Sequence, residues 1–173
     1  EGGLYADRSG GAQTGIYADL AITDRKTYFE VYVEGGDVAA FVGVGLGLTT
    51  QTTTPTSANN TGCGVDGAGT LYSNNGTASP TNIGASETLS GKTVGVAYDP
   101  VAGEVWISIN GTWRGPGSPD PATGVDPLCT GFPSSMVAVC SSLSGTFRLN
   151  CGQHAFVYTP PLGYAHGCFE HRT

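Results

Sequence analysis

Fourteen acidic residues and three histidines are the groups in this chain that could move a proton or hold a cation. Glycoside hydrolysis uses two carboxyl groups about 5–9 Å apart, a spacing that positions i and i+2 of one strand would give. No Glu-x-Asp or Glu-x-Glu occurs; Glu30 and Glu34 stand four apart, and Glu104 stands alone. Without a paired acid and base, these read as solvent-facing charges near strand ends. His154, His166 and His171 crowd the last twenty residues, and no Gly-x-Ser-x-Gly elbow supplies a nucleophile. His166, Cys168 and His171 are too few and too close to the chain end for a structural zinc, which takes four fixed ligands. No catalytic residue, metal or cofactor is expected.

The remaining polar chemistry suits turns and contacts. Asp66, Asp120 and Asp126 lie in Gly/Pro-rich stretches without the dense Asp spacing of a calcium loop, so they read as turn formers. Trp113-Arg114 follows an Asn-Gly turn, and Tyr72 precedes a polar stretch. Aromatic and arginine side chains on loop shoulders are the usual anchors of binding surfaces. An exposed Trp113 could also stack on a sugar ring or simply cover one end of a core. The candidate contact residues are therefore Asn59, Asn60, Tyr72, Trp113, Arg114 and Asp120.

These residues hang on strands. Val94, Val96 and Tyr98, then Val105, Ile107 and Ile109, alternate on one face, with Asp99-Pro100-Val101-Ala102-Gly103 as turn chemistry between them. Parity forbids a one-residue slip, so the pattern predicts a hairpin with Tyr98 opposite Val105, Val96 opposite Ile107 and Val94 opposite Ile109. Trp106 then lies across from Ala97 and beside Gly95. Asn110-Gly111 marks the next turn. Upstream, Ile16–Ile22, Tyr28–Val33 and Ala39–Leu48 read as strands, and Gly43, Gly45 and Gly47 leave one face of the last bare for close approach. Downstream, Ser135–Cys140 and Thr146–Cys151 read as a closing pair of strands. Thr49–Thr61, Asn74–Ser86 and Arg114–Gly131 are polar loops without core residues. Residues 1–15 read as an N-terminal arm, 16–164 as one domain and 165–173 as a tail.

Composition agrees with an all-β domain. The chain has 173 residues, 28 glycines, 10 prolines and 12% charged residues, against a usual charged share of about 25%. Net charge is −7 with only Lys26 and Lys92 as lysines, which argues against nucleic acid or an anionic membrane as partner. No apolar run is long enough to span a bilayer. The start at Glu1, without Met or a signal-like apolar core, fits a processed product or an excised domain. Five cysteines, at spacings of 66, 11, 11 and 17, match no zinc ribbon. They are either mostly reduced or joined in one or two disulfides, with Cys140–Cys151 the expected pair.

Taken in order, Lys26-Thr-Tyr-Phe-Glu-Val-Tyr-Val33, Val42-Gly-Val-Gly45, Val94-Gly-Val-Ala-Tyr-Asp99 running on to Ile107-Ser-Ile-Asn-Gly111, Arg148-Leu-Asn-Cys-Gly152 and Pro160-Pro-Leu-Gly-Tyr164 resemble the SPRY (B30.2-like) domain. The resemblance spans roughly Tyr17 to Tyr164. It implies a two-sheet antiparallel bent β-sandwich, a concanavalin A-like jelly roll, with loops at one edge forming a binding surface. SPRY-like modules also occur in bacteriophage virion proteins, and the Gly/Thr/Ser/Asn-rich, Lys-poor composition resembles those. The expectation is a non-catalytic recognition or structural module of a phage particle, virion-borne or extracellular. Its expected partners are other virion proteins, a host surface glycan or protein, or further copies of itself. The rivals are a glycan-active enzyme of the same sandwich class and an intracellular SPRY peptide-recognition adaptor.

Overall fold

A computed structural model describes residues 4–17, 22–36, 41–45, 61–75, 81–85 and 87–167. The described residues form eleven strands and no helix: β1 Leu4–Tyr17, β2 Thr27–Gly36, β3 Phe41–Gly45, β4 Thr61–Asp66, β5 Thr70–Asn75, β6 Thr81–Ala85, β7 Lys92–Asp99, β8 Glu104–Ile109, β9 Thr112–Arg114, β10 Val137–Asn150 and β11 Ala165–His166. One sheet runs β6-β5-β4-β3-β10 and the other β10-β2-β7-β8-β9. Pairing is antiparallel throughout except for β11, which lies parallel to the start of β2.

β10 belongs to both sheets. Val137–Ser141 pairs with β3, and Gly145–Asn150 pairs with β2. Its inward residues are Ala138 and Cys140 in the first half but Phe147 and Leu149 in the second. Even numbers give way to odd ones, so the alternation slips by one across the bend, and the register with β2 shifts between Thr146 and Phe147, which pair with Gly35 and Val33 and leave Glu34 over. β1 follows β10 around this bend, with its own register shift between Ser9 and Thr14. The expected closing pair of strands is thus one bent strand. The stretch read as an arm is also part of the sheet, because its residues 4–9 and 14–15 pair with β10. Of the predicted strand Ile16–Ile22, Ile16 and Tyr17 belong to β1, Ile22 bridges to Met136, and 18–21 lie outside the described residues.

The core lies between the two sheets. Phe29, Val31 and Val33 of β2, with Val94, Val96, Tyr98, Val105, Ile107 and Ile109 of the hairpin, meet Val42, Val44, Val65 and Leu71 of the other sheet. Burying each such side chain fully contributes about 1.5–3 kcal/mol. The hairpin has the register that parity demands, Tyr98↔Val105, Val96↔Ile107 and Val94↔Ile109. Its loop closes through Gly103 N donating to Asp99 O at 2.8 Å, while Asp99 Oδ1 accepts the amides of Val101 and Ala102. Asn110 and Gly111 both adopt positive φ, 48° and 75°, as a tight hairpin turn requires. Gly43 is forced: a Cβ there would sit 2.1 Å from the carbonyl oxygen of Cys63.

The disulfide differs from the expected one. Cys63 on β4 bonds Cys129 in the segment beside β8, with Cα atoms 6.4 Å apart, so it ties sheet to sheet. Cys140 and Cys151 are unbonded and buried in the core. The polar stretch Asn74–Ser86 likewise contains a strand, β6, paired with β5.

Candidate functional site

Strand directions sort the connections into two ends. Gly36, Phe41, Asp66, Ala85 and Lys92 lie at the end where β10 bends, which closes the sandwich. Gly45, Thr61, Asn75 and Thr81 of one sheet, and Asp99 and Glu104 of the other, lie at the opposite, open end. The segment 129–136 crosses this end. Val105 bridges to Cys129, Phe132 N donates to Gly103 O at 3.1 Å, and the Tyr98 hydroxyl donates to Pro133 O. Burial, then the Asp99 charge, push the Tyr98 phenol up to about 12. Thr49–Thr61 therefore rejoins the frame at the open end, the β5–β6 connection leaves it at Asn75 and rejoins it at Thr81 there, and Arg114–Gly131 starts in mid-sheet opposite Ile107 and reaches the open end at Cys129. Asn59 and Asn60, and most of Thr49–Thr61, lie outside the described residues.

Lys26 and Asp99 mark the rim, 3.1 Å apart. Burial alone would raise the Asp99 carboxyl, but the amides of Ala102 and Val101 and the Lys26 ammonium outweigh it and hold the carboxyl low. Asp120 forms a turn as expected: Oδ1 accepts Ala122 N at 3.0 Å and Oδ2 the Thr123 hydroxyl at 2.7 Å.

The other candidate contact residues sit elsewhere. Trp113 lies opposite Ser108 on the outer face of the β7–β8 sheet and packs edge-on to Tyr28 at 6.3 Å. Arg114 points the other way, toward the sandwich edge, where Glu87 accepts from both it and Lys92. Those hydrogen bonds and charges, Lys92 first, hold the Glu87 carboxyl below its ordinary value. Tyr72 alternates with core-facing Leu71 and so occupies the outer face of the other sheet. Burial, then Asp66, raise its phenol. The structure does not bring Tyr72, Trp113 and Arg114 into one site.

A second small core covers the outer face of the β2–β7–β8 sheet. Tyr28, Ala97, Trp106 and Tyr164 are buried together, with Trp113 and Phe156 against them. Glu30 is only 2% exposed and has three donors: the Tyr28 hydroxyl at 2.9 Å and the amides of Val157 and Tyr158 at 2.8 Å each. Glu30, expected from the sequence to face solvent, is thus a buried anchor of the C-terminal strap, residues 152–164. Burial, then the Glu30 charge, raise the Tyr28 phenol above its ordinary value. Gly95 is required here, since a Cβ would meet Ser108 Oγ and the Tyr28 hydroxyl at 2.5 Å each. Residues 127 and 128 positions apart meet at Glu30, and no local pattern signals such a contact.

The fold is that of SPRY domains. The chain is similar to the SPRY domain of human HERC1, with 12% identity and a TM-score of 0.61 over 87% of this chain and 90% of that one. It is similar to another human SPRY domain at 19% identity and a TM-score of 0.58, covering 87% and 93%. No protein-family model matches the sequence, and no curated protein matches it either.

Proposed function

We propose that this chain is a non-catalytic recognition module that binds a protein partner at the open end of its sandwich. The observation that carries this reading is the register that brings Gly45 and Thr61, Asn75 and Thr81, and the hairpin loop between Asp99 and Glu104 to one rim, on a frame cross-linked by Cys63–Cys129. Loops held by a rigid scaffold are where recognition concentrates. The likeness to SPRY domains supports it, because the resemblance implies a loop-built binding surface. Trp113, packed on Tyr28, favours a structural role over sugar stacking.

The setting remains a proposal of its own: a phage particle, with another virion protein or a host surface protein as partner. The disulfide supports an oxidising compartment, since such bonds are rare in reducing cytosol. An intracellular SPRY adaptor would have the same fold, and Cys63 and Cys129 reduced in protein taken from its native source would favour it. The binding reading is tested by placing arginine at exposed Ala102 or Thr123 on the rim, and at exposed Ser90 near the closed end. Partner affinity should fall about tenfold or more for the rim variants and hold for Ser90→Arg. The reverse pattern would move the contact surface.

A further inference from the structure

Among the described residues, two that are not glycine hold a left-handed backbone, Asn110 at φ 48° and Asp126 at φ 47°. The hairpin turn accounts for Asn110. Asp126 has no such account, because it precedes Pro127, and a proline pushes the residue before it toward extended backbone. Strained conformations persist where their surroundings force them, and they concentrate at functional positions. Here the forcing contacts lie on both sides. Val125 exchanges two backbone hydrogen bonds of 3.0 Å with Asp120, and its carbonyl also accepts the Trp106 indole N–H at 3.0 Å. Leu128 N donates to Val105 O at 2.8 Å, and Cys129 is bonded to Cys63. Asp126 and Pro127 thus form a short link between two fixed points, and Asp126 is exposed to water.

An Asp-Pro peptide bond is the weak one in acid, since the aspartyl carboxyl can attack its own carbonyl carbon and the proline nitrogen is a basic leaving group. The chain has three: Asp99-Pro100, Asp120-Pro121 and Asp126-Pro127. Their surroundings differ. Asp99 Oδ1 accepts the amides of Val101 and Ala102 and Oδ2 meets the Lys26 ammonium, with the side chain only 8% exposed. Asp120 Oδ1 accepts Ala122 N, and Oδ2 accepts the Thr123 hydroxyl. Both oxygens are therefore held in these two. Asp126 Oδ2 accepts Ser118 N at 2.8 Å, and among the described residues Oδ1 accepts no hydrogen bond. Gly117 lets this carboxylate in, because a Cβ there would sit 2.1 Å from Oδ2.

We infer that Asp126–Pro127 is a self-cleavage site at which the folded chain cuts itself in acid. Oδ1 of the Asp126 carboxyl bonds to the Asp126 carbonyl carbon, the bond from that carbon to Pro127 N breaks, and the carboxyl proton ends on the departing nitrogen. One water then opens the five-membered anhydride to two carboxyl groups. The sum is hydrolysis of one peptide bond, and no other reactant is needed. Release of the left-handed backbone at Asp126 favours this bond over the other two. The cut happens once per chain and is independent of the recognition reading. Cys63–Cys129 keeps pieces 1–126 and 127–173 joined, so the sandwich is nicked rather than split.

The test holds the folded chain at the lowest pH at which its circular dichroism stays native, beside a urea-unfolded sample at the same pH. Fragment masses after reduction report each of the three bonds. The unfolded sample should break all three at similar rates. In the folded chain Asp126–Pro127 should break about tenfold faster than either of the others. Asp126→Asn keeps an acceptor for Ser118 N but has no acid to attack with, and should abolish that cut alone. Without reductant, the cut chain should keep its whole mass plus one water. The inference is overturned by a folded chain that breaks first at another Asp-Pro bond, breaks all three evenly, or stays whole while the unfolded sample is cut. An Asp126→Asn variant that still breaks before Pro127 would overturn it as well.

Discussion

Glu30 shows how a carboxylate whose position near a strand end suggests solvent can instead be buried and do structural work. Both oxygens are occupied by donors, and two of those are amides of the strap. Glu30→Gln removes the charge and turns an NH2 toward a backbone N–H. Leaving a buried donor unsatisfied costs about 1–3 kcal/mol. Denaturation should register that loss, and the amides of Val157 and Tyr158 should lose hydrogen-exchange protection before the rest of the sheet. Asp99 gives a pH signature. Its folded pKa lies below the unfolded value of about 4, so its stabilisation is present above that pH and is lost as pH falls through the lowered folded value. The difference in urea midpoint between wild type and Asp99→Asn should be steady at neutral pH and close in acid. A difference that grew in acid would mean that Asp99 is not held ionised. Burial, and then the neighbouring Cys151, raise the Cys140 thiol to about 12, so native protein should leave it unalkylated at mildly alkaline pH.

At the scale of elements, legibility followed locality. The hairpin was readable to the individual pair, because strict alternation and a turn with Pro and Gly leave one register. Ile107→Ala should cost about 2–5 kcal/mol as a buried truncation; a loss under about 0.5 kcal/mol, the range of surface changes, would invert the face assignment. β1 was not readable. Leu4–Tyr17 contains Gly10-Gly11 and no alternation, so its strand state comes from pairing with β10, more than 120 positions away. β10 itself read as two strands because small polar residues, Ser141-Ser142 and Ser144-Gly145, interrupt its apolar pattern at the bend. Of the candidate contact residues, Asp120 was read correctly as a turn former. Trp113 and Arg114 were misleading because exposure cannot be inferred from a position beside a turn. Trp113→Ala should therefore lower stability as well as any binding.

At the scale of the molecule, two sheets joined by one bent strand at the closed end are fastened again at the open end by Cys63–Cys129. The bond closes a loop with a sequence separation of 66, and a cross-link of that reach typically contributes about 2–4 kcal/mol. Spacing alone could not identify this pair, since the partners face each other only once the sheets stack. Peptide mapping of unreduced protein should recover Cys63 linked to Cys129, with Cys140 and Cys151 alkylated only after denaturation. The central claim, that the open end is the contact surface, is tested most directly by site-specific photo-cross-linking in the native assembly. A photoreactive residue at Ala102 should form adducts with the partner protein while one at Ser90 should not. Adducts from Ser90 with none from Ala102 would contradict the account.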